Sequence, residues 1–208
     1  MTSNDPFVER VKHEFVPRLR AQGFRGSFPR LQRVSGDLVH EIEIQGWKYG
    51  GQRTINLSLG FTFIQPAPVN KTYATEYSYR IGTSDGRDRW WNYSTHDTQE
   101  CVTRADEMIE VFDRESPSFF ERFATFPDSF AHFSPTDFVD APQSYLLPRV
   151  GGGRMIARDC WIFTQIWEHL DDRERAAEFA RIGLEHIGSA GGLRKIFENA
   201  ISNAEIVG

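Results

Sequence analysis

Residues 24–64 read FRGSFPRLQRVSGDLVHEIEIQGWKYGGQRTINLSLGFTFI, and this stretch decides the fold. Ile55, Leu57, Leu59, Phe61 and Phe63 alternate with Thr54, Asn56, Ser58, Gly60 and Thr62. A period of two belongs to a strand with one buried face. The run before it repeats the pattern. Leu38, Ile42 and Ile44 fall on one side with His40 among them, and Val39, Glu41, Glu43 and Gln45 fall on the other. Ser35-Gly36-Asp37 and Lys48-Tyr49-Gly50-Gly51 supply the turns, because glycine accepts positive φ at little steric cost. Residues 24–34 read as the first of three antiparallel strands. Pro29 has no N–H to donate, which places this strand at an edge or Pro29 at a bulge.

Three strands need a cover for their apolar side. Residues 5–22 provide one. Phe7, Val8, Val11, Phe15 and Leu19 recur at three- and four-residue spacings. Asp5 followed by Pro6 suits a helix N-cap and first helical position, and Gly23 suits the stop. Pro17 inside the helix predicts a kink or loosened turn over residues 13–17. Beyond the three strands, QPAPVN at 65–70 is a loop by composition. Tyr73, Thr75, Tyr77, Tyr79 and Ile81 mark a fourth strand, and residues 89–93 a short fifth.

Residues 98–114 carry a second helical stripe, and Ser116-Pro117 opens a short third helix through Phe123. The connection that follows holds Pro127, Pro135, Pro142 and Pro148, yet also Phe126, Phe130, Phe133, Phe138 and Tyr145. So many aromatics predict an ordered, irregular segment rather than a disordered linker. Helical periodicity returns with Ile156, Cys160, Phe163 and Trp167, then Ala176, Phe179, Ala180 and Gly183, then Ile196, Phe197 and Ala200. Small residues opposite large aromatics suit a closely packed helix hairpin. The expected class is α+β: an antiparallel meander of about five strands with an N-terminal covering helix and a helical C-terminal extension. The divisions are an α+β sheet domain over 1–125, an irregular Pro/aromatic connection over 126–153, and helices over 154–208 packed on the same domain.

The chain has 208 residues, of which 17 are Phe and 5 Trp, enough to build a core without disulfides. Cys101 and Cys160 form no CxxC or metal spacing and read as thiols in a reducing compartment. The N-terminal MTSNDPFVERVKHEF is charged where a signal peptide is apolar, and no window is apolar enough for a membrane span. A soluble, cytoplasmic protein is expected. The net charge of -5 argues against broad phosphate-backbone binding.

One resemblance covers roughly residues 7 to 120. Phe15, Pro17, Leu19, Gly23-Phe24, Arg30, Ile42-Glu43-Ile44-Gln45, Asn56-Leu57, Gly60, Arg80-Ile81-Gly82 and Trp90-Trp91 stand in the same order as in a bacterial family. The chain thus resembles the family known as domain of unknown function 4304. The resemblance implies a fold and a bacterial origin; it implies no activity and no catalytic residues.

Several groups are candidates for a site. Glu41 and Glu43 share a strand face and suit cation binding or acid–base work, while His40 points the other way. Arg25 and Arg33 share a face of the first strand, and with Arg53, Arg80, Arg87 and Arg89 they would make an anion patch. Trp90 and Trp91 point to opposite faces of their strand, so at most one serves the core and the other is free to stack. Gly151-Gly152-Gly153-Arg154 precedes a helix and would suit an anion, although no Walker A or dinucleotide fingerprint is present. For each, the plainer reading is a solvated, salt-bridged or packed residue. No cofactor and no metal is expected: the histidines lack a metal spacing, and no Ser/His/Asp or Cys/His set is supported.

These residues name no chemistry. They point first to a module that binds another protein, in the manner of small acidic immunity or adaptor proteins. A small-ligand or anion-binding protein or enzyme using the sheet face comes second, and nucleic-acid binding third. The binding residues expected are Glu41, Glu43, Arg80, Arg89, Trp90 and Trp91, on a polar sheet face left partly open.

Overall fold

The computed structural model describes residues 5–64, 73–81, 89–140, 156–189 and 191–206. The chain divides into two compact units, Met1–Thr62 with Ala67–Ser129, and Phe63–Pro66 with Phe130–Gly208. The fold is α+β.

The first unit opens with α1 (Pro6–Arg10), a π-helical turn (Val11–Phe15) and α2 (Val16–Ala21). The Asp5 side chain caps α1 by accepting from the Phe7 N–H. The loosened turn that Pro17 predicts is the π turn, where the Val16 N–H reaches back to the Val11 carbonyl. Gly23, at φ 91°, ends the helix, and the Phe24 N–H closes on the Leu19 carbonyl.

Six strands follow: β1 (Arg25–Ser27), β2 (Arg30–Ser35), β3 (Leu38–Gly46), β4 (Gln52–Phe61), β5 (Tyr77–Arg80) and β6 (Trp91–Asn92). Neighbours β1 through β5 pair in sequence order, all antiparallel, and β6 pairs with β4 beside β5. One expectation changes here. Residues 24–34 are not one strand but a hairpin that turns at Phe28 and Pro29, so Pro29 sits where no ladder N–H is required. The turn pairs Arg25 with Gln32 and puts Arg25 on the opposite face from Arg33.

The central register is fixed by its apolar face. Leu38 lies opposite Phe61, Ile42 opposite Leu57 and Ile44 opposite Ile55, and all six are buried. Phe7, Val11, Phe15 and Leu19 are buried with them. The long helix α3 (Thr98–Arg122) lies over this same apolar side, against α1, β4 and β6. It also runs through Pro117 instead of breaking there. Its buried positions continue at helical spacing across the proline, from Met108 and Phe112 to Ser116 and Phe119, with Phe123 at its end. Burying that continuous stripe outweighs one missing backbone bond. Phe15 meets Phe112 edge-on at 4.7 Å, and Phe7 stacks on Tyr93 at 4.7 Å.

The second unit contains α5 (Asp137–Asp140), α6 (Ile156–His169), α7 (Arg173–Glu185), a 3-10 turn (Gly191–Leu193) and α8 (Arg194–Glu205); the short α4 (Asp128–Ala131) straddles the division between the units. Asp172 caps α7 by accepting from the Arg175 N–H. The aromatics of the irregular connection are core here. Phe130, Phe133 and Phe138 surround Phe163, at 6.2, 5.4 and 5.0 Å, and Phe163 meets Phe179 at 5.0 Å. Gly183 lets α8 approach α7 closely, since a Cβ there would enter the Phe197 ring.

Candidate functional site

The second face of the sheet is a built array of polar groups. The register aligns them in rows across four strands. One row is Arg30, Glu43, Asn56 and Arg80; the next is Gln32, Glu41, Ser58 and Ser78. The sequence signal for this face was the alternation itself, which put Glu41, Glu43, Asn56 and Ser58 together.

Each row is internally bonded. Arg30 Nε donates to Glu43 at 2.9 Å. Arg80 donates to Asn56 at 3.1 Å and to Gln45 at 3.0 Å, and Asn56 donates to the same Gln45 oxygen. Ser58 donates to Ser78 at 3.1 Å. Gln32 acts as a backbone mimic. Its Nε2 donates to the Tyr73 carbonyl and its Oε1 accepts from the Tyr73 N–H, while the same Nε2 donates to Glu41 at 2.7 Å. The chain at Ala74 and Thr75 crosses directly over Gly60, where a Cβ would overlap the Ala74 carbonyl. Gly60 is therefore the close-approach position of this face.

The six expected binding residues separate into two groups. Glu43, Arg80, Arg89 and Trp90 are half-buried, and the Arg80 guanidinium lies 5.1 Å from the Trp90 ring centre. Glu41 and Trp91 are buried and offer no surface. Burial pushes the Glu41 carboxyl up, against the Gln32 hydrogen bond that pulls it down. Trp91 pairs with Arg53 on the apolar side, beneath the Arg89 guanidinium at 5.3 Å. Gly151, Gly152, Gly153 and Arg154 lie outside the described residues, as does Arg87.

At one end of the polar face the β3–β4 hairpin projects. Its turn is closed by the Gly50 N–H on the Trp47 carbonyl and the Trp47 N–H on Gln52. Trp47 and Tyr49 are 49 % and 76 % exposed, with ring centres 5.9 Å apart. They are the only exposed residues among the Phe, Trp and Tyr of the described residues. With Gln52, Asn92, Ser94, Glu100 and Arg104 they line a shallow depression of about 670 Å³. Gln52 and Asn92 are register partners on the polar side, so the depression continues that face. The sequence places Tyr49 in the turn, outside the expected binding residues. The signal was present, because an aromatic in a Gly-rich hairpin turn reaches neither sheet face.

The apolar side holds two further polar clusters. Asp5, Arg53 and Tyr93 form a closed set: Asp5 accepts from Arg53 at 2.9 Å and from the Tyr93 hydroxyl at 2.8 Å, and Arg53 Nε donates to that hydroxyl at 3.1 Å. Burial, with the Asp5 carboxylate adding to it against the Arg53 guanidinium, holds the Tyr93 hydroxyl up at about 12. This set ties the start of α1 to β4 and removes Arg53 from any anion patch. His40 is fully buried, with its Nε2 2.9 Å from the Phe123 carbonyl. A carbonyl only accepts, so Nε2 carries the proton and Nδ1 faces Arg33 as a lone pair. Burial, with the Arg33 charge adding to it, lowers His40 to about 4.

Among the described residues no group of three or more His, Cys, Asp or Glu is arranged to hold a metal ion, and no helix is long and apolar enough to cross a membrane. No protein-family model matches this chain, and no curated protein or solved structure is significantly similar to it.

Proposed function

We propose that this chain is a protein-binding module of the immunity or adaptor type, and that its partner meets the β3–β4 tip and the adjoining polar face. The observation that carries this reading is the exposed Trp47–Tyr49 pair beside a shallow depression. Aromatic anchors ringed by polar groups are the composition of an interface centre and its rim. The polar face adds a rim whose side chains are already held in place, which lowers the entropy lost on association. Its pairing also favours a protein over a phosphate backbone. Arg30 is answered by the Glu43 carboxylate, which offsets that charge toward a phosphate. The buried Glu41 bonded to Gln32 serves as scaffold beneath the rim.

The test is capture from the native host with the immobilised chain, followed by purification of the captured protein and cross-linking of the reconstituted pair. The expected result is a stoichiometric complex whose cross-links start from Lys48 and neighbouring residues of the tip. A complex cross-linked only through the second unit would displace the reading.

A further inference from the structure

Arg33 is a half-buried cation with no carboxylate partner among the described residues. Its guanidinium lies between two rings, 4.9 Å from the centre of Phe24 and 5.1 Å from that of Phe120. Nη2 faces His40 Nδ1 at 3.5 Å, and Nε is sealed from solvent without a hydrogen-bond partner. No carboxylate among the described residues pairs with it. The contrast with Arg53 is direct. Both are partly buried, but Arg53 is engaged by Asp5 and Tyr93, which together raise it against burial. Nothing offsets burial at Arg33, which is lowered. Two aromatic faces attract a cation but supply no counter-charge and accept none of its in-plane N–H groups. His40 is neutral and takes at most one of them. Nη1 has no hydrogen-bond partner among the described residues, and Arg33 as a whole is half-buried, not sealed.

We propose that the slot formed by Phe24, Arg33 and Phe120 is a carboxylate receptor, in which a planar carboxylate docks on the outer Nη1–Nη2 edge of Arg33. The rings fix the guanidinium plane, and His40 holds Nη2 from behind, so the fork is preorganised for bidentate contact. This site lies on the apolar side of the sheet and does not depend on the role of the hairpin tip. The carboxylate has two possible sources, an acidic side chain of a partner or a small free acid.

The experiment is NMR of the whole chain with the Arg33 Nε–H and the Phe120 and His40 amides as reporters, at pH 7 and constant ionic strength. Sodium acetate is titrated against sodium chloride and sodium phosphate, and an N-acetylated glutamate-containing tripeptide is titrated in parallel. The expected result is a saturable shift at Arg33 with acetate and peptide, absent with chloride. Arg33→Lys, which keeps the charge and loses the fork, should weaken it roughly tenfold. A tighter response to the peptide assigns the carboxylate to a partner, and an equal response to a free acid. A response equal to that of chloride, or a saturable response to phosphate alone, overturns the proposal. The wild-type titration decides this even where the variant fails to fold.

Discussion

Acidification should destabilise the first unit through one residue, His40, and the size of the effect follows from its surroundings. The ring is enclosed by β2, β4 and α3: Arg33 faces Nδ1, Leu59 is its register partner, Phe119 and Phe120 lie edge-on to it, and the Phe123 carbonyl accepts from Nε2. Only the Phe123 carbonyl favours a positive ring, and burial with the Arg33 charge outweighs it. Its folded value of about 4 lies below the 6.5 of a free histidine. The unfolded chain therefore binds more protons between the two values, and stability falls as pH drops through that window. The drop from 6.5 to about 4 corresponds to about 3 kcal/mol lost between pH 7.5 and pH 4. Buried Glu41 works in the opposite sense, since its raised carboxyl favours folding on acidification. The comparison that isolates His40 is with His40→Gln, whose amide nitrogen replaces Nε2 as donor to Phe123 without titrating. Urea unfolding of both proteins at pH 7.5, 5.5 and 4 gives the difference. The variant should lie within about 1 kcal/mol of wild type at pH 7.5 and gain about 3 kcal/mol relative to it by pH 4. A difference that stays constant to within about 0.5 kcal/mol across the range would refute the neutral, Nε2-protonated assignment.

Two further substitutions probe the packing that holds the units together internally. Gly183→Ala drives a methyl into the Phe197 ring and should cost about 1–3 kcal/mol, and combining it with Phe197→Leu should recover part of that loss; additivity of the two in thermal unfolding would contradict the contact. Tyr93→Phe removes the hydroxyl shared by Asp5 and Arg53 and should cost about 1–3 kcal/mol in urea unfolding, whereas a neutral result would show that the Asp5–Arg53 pair closes without it.

The sheet was legible because its faces differ so sharply in polarity. Alternation at Leu38–Gly46 and Gln52–Phe61 specified both the strands and the side that is buried. The hairpin within residues 24–34 was not legible, because Pro29 marks an interruption without saying whether the chain bulges or reverses. The continuity of α3 through Pro117 was not legible, because the proline is a local breaking signal whereas the stripe that overrides it gains its value from tertiary burial. The polar face was half legible. Alternation assembled Glu41, Glu43, Asn56 and Ser58, but the contacts of Glu41 with Gln32 and of Gly60 with the crossing chain at Ala74 are long-range and have no local signature. The Asp5–Arg53–Tyr93 set joins residues far apart in the chain and left no trace in spacing.

The central claim is that Trp47 and Tyr49 anchor a protein partner. Isothermal calorimetry of the captured partner with wild type and with the Trp47→Ala/Tyr49→Ala double variant measures it most directly. Both side chains are exposed, so the unfolding midpoint should be unchanged while affinity falls at least about tenfold, the loss of about 1.4 kcal/mol that marks an anchor. Equal affinity of the two proteins, with both folded, would contradict the account.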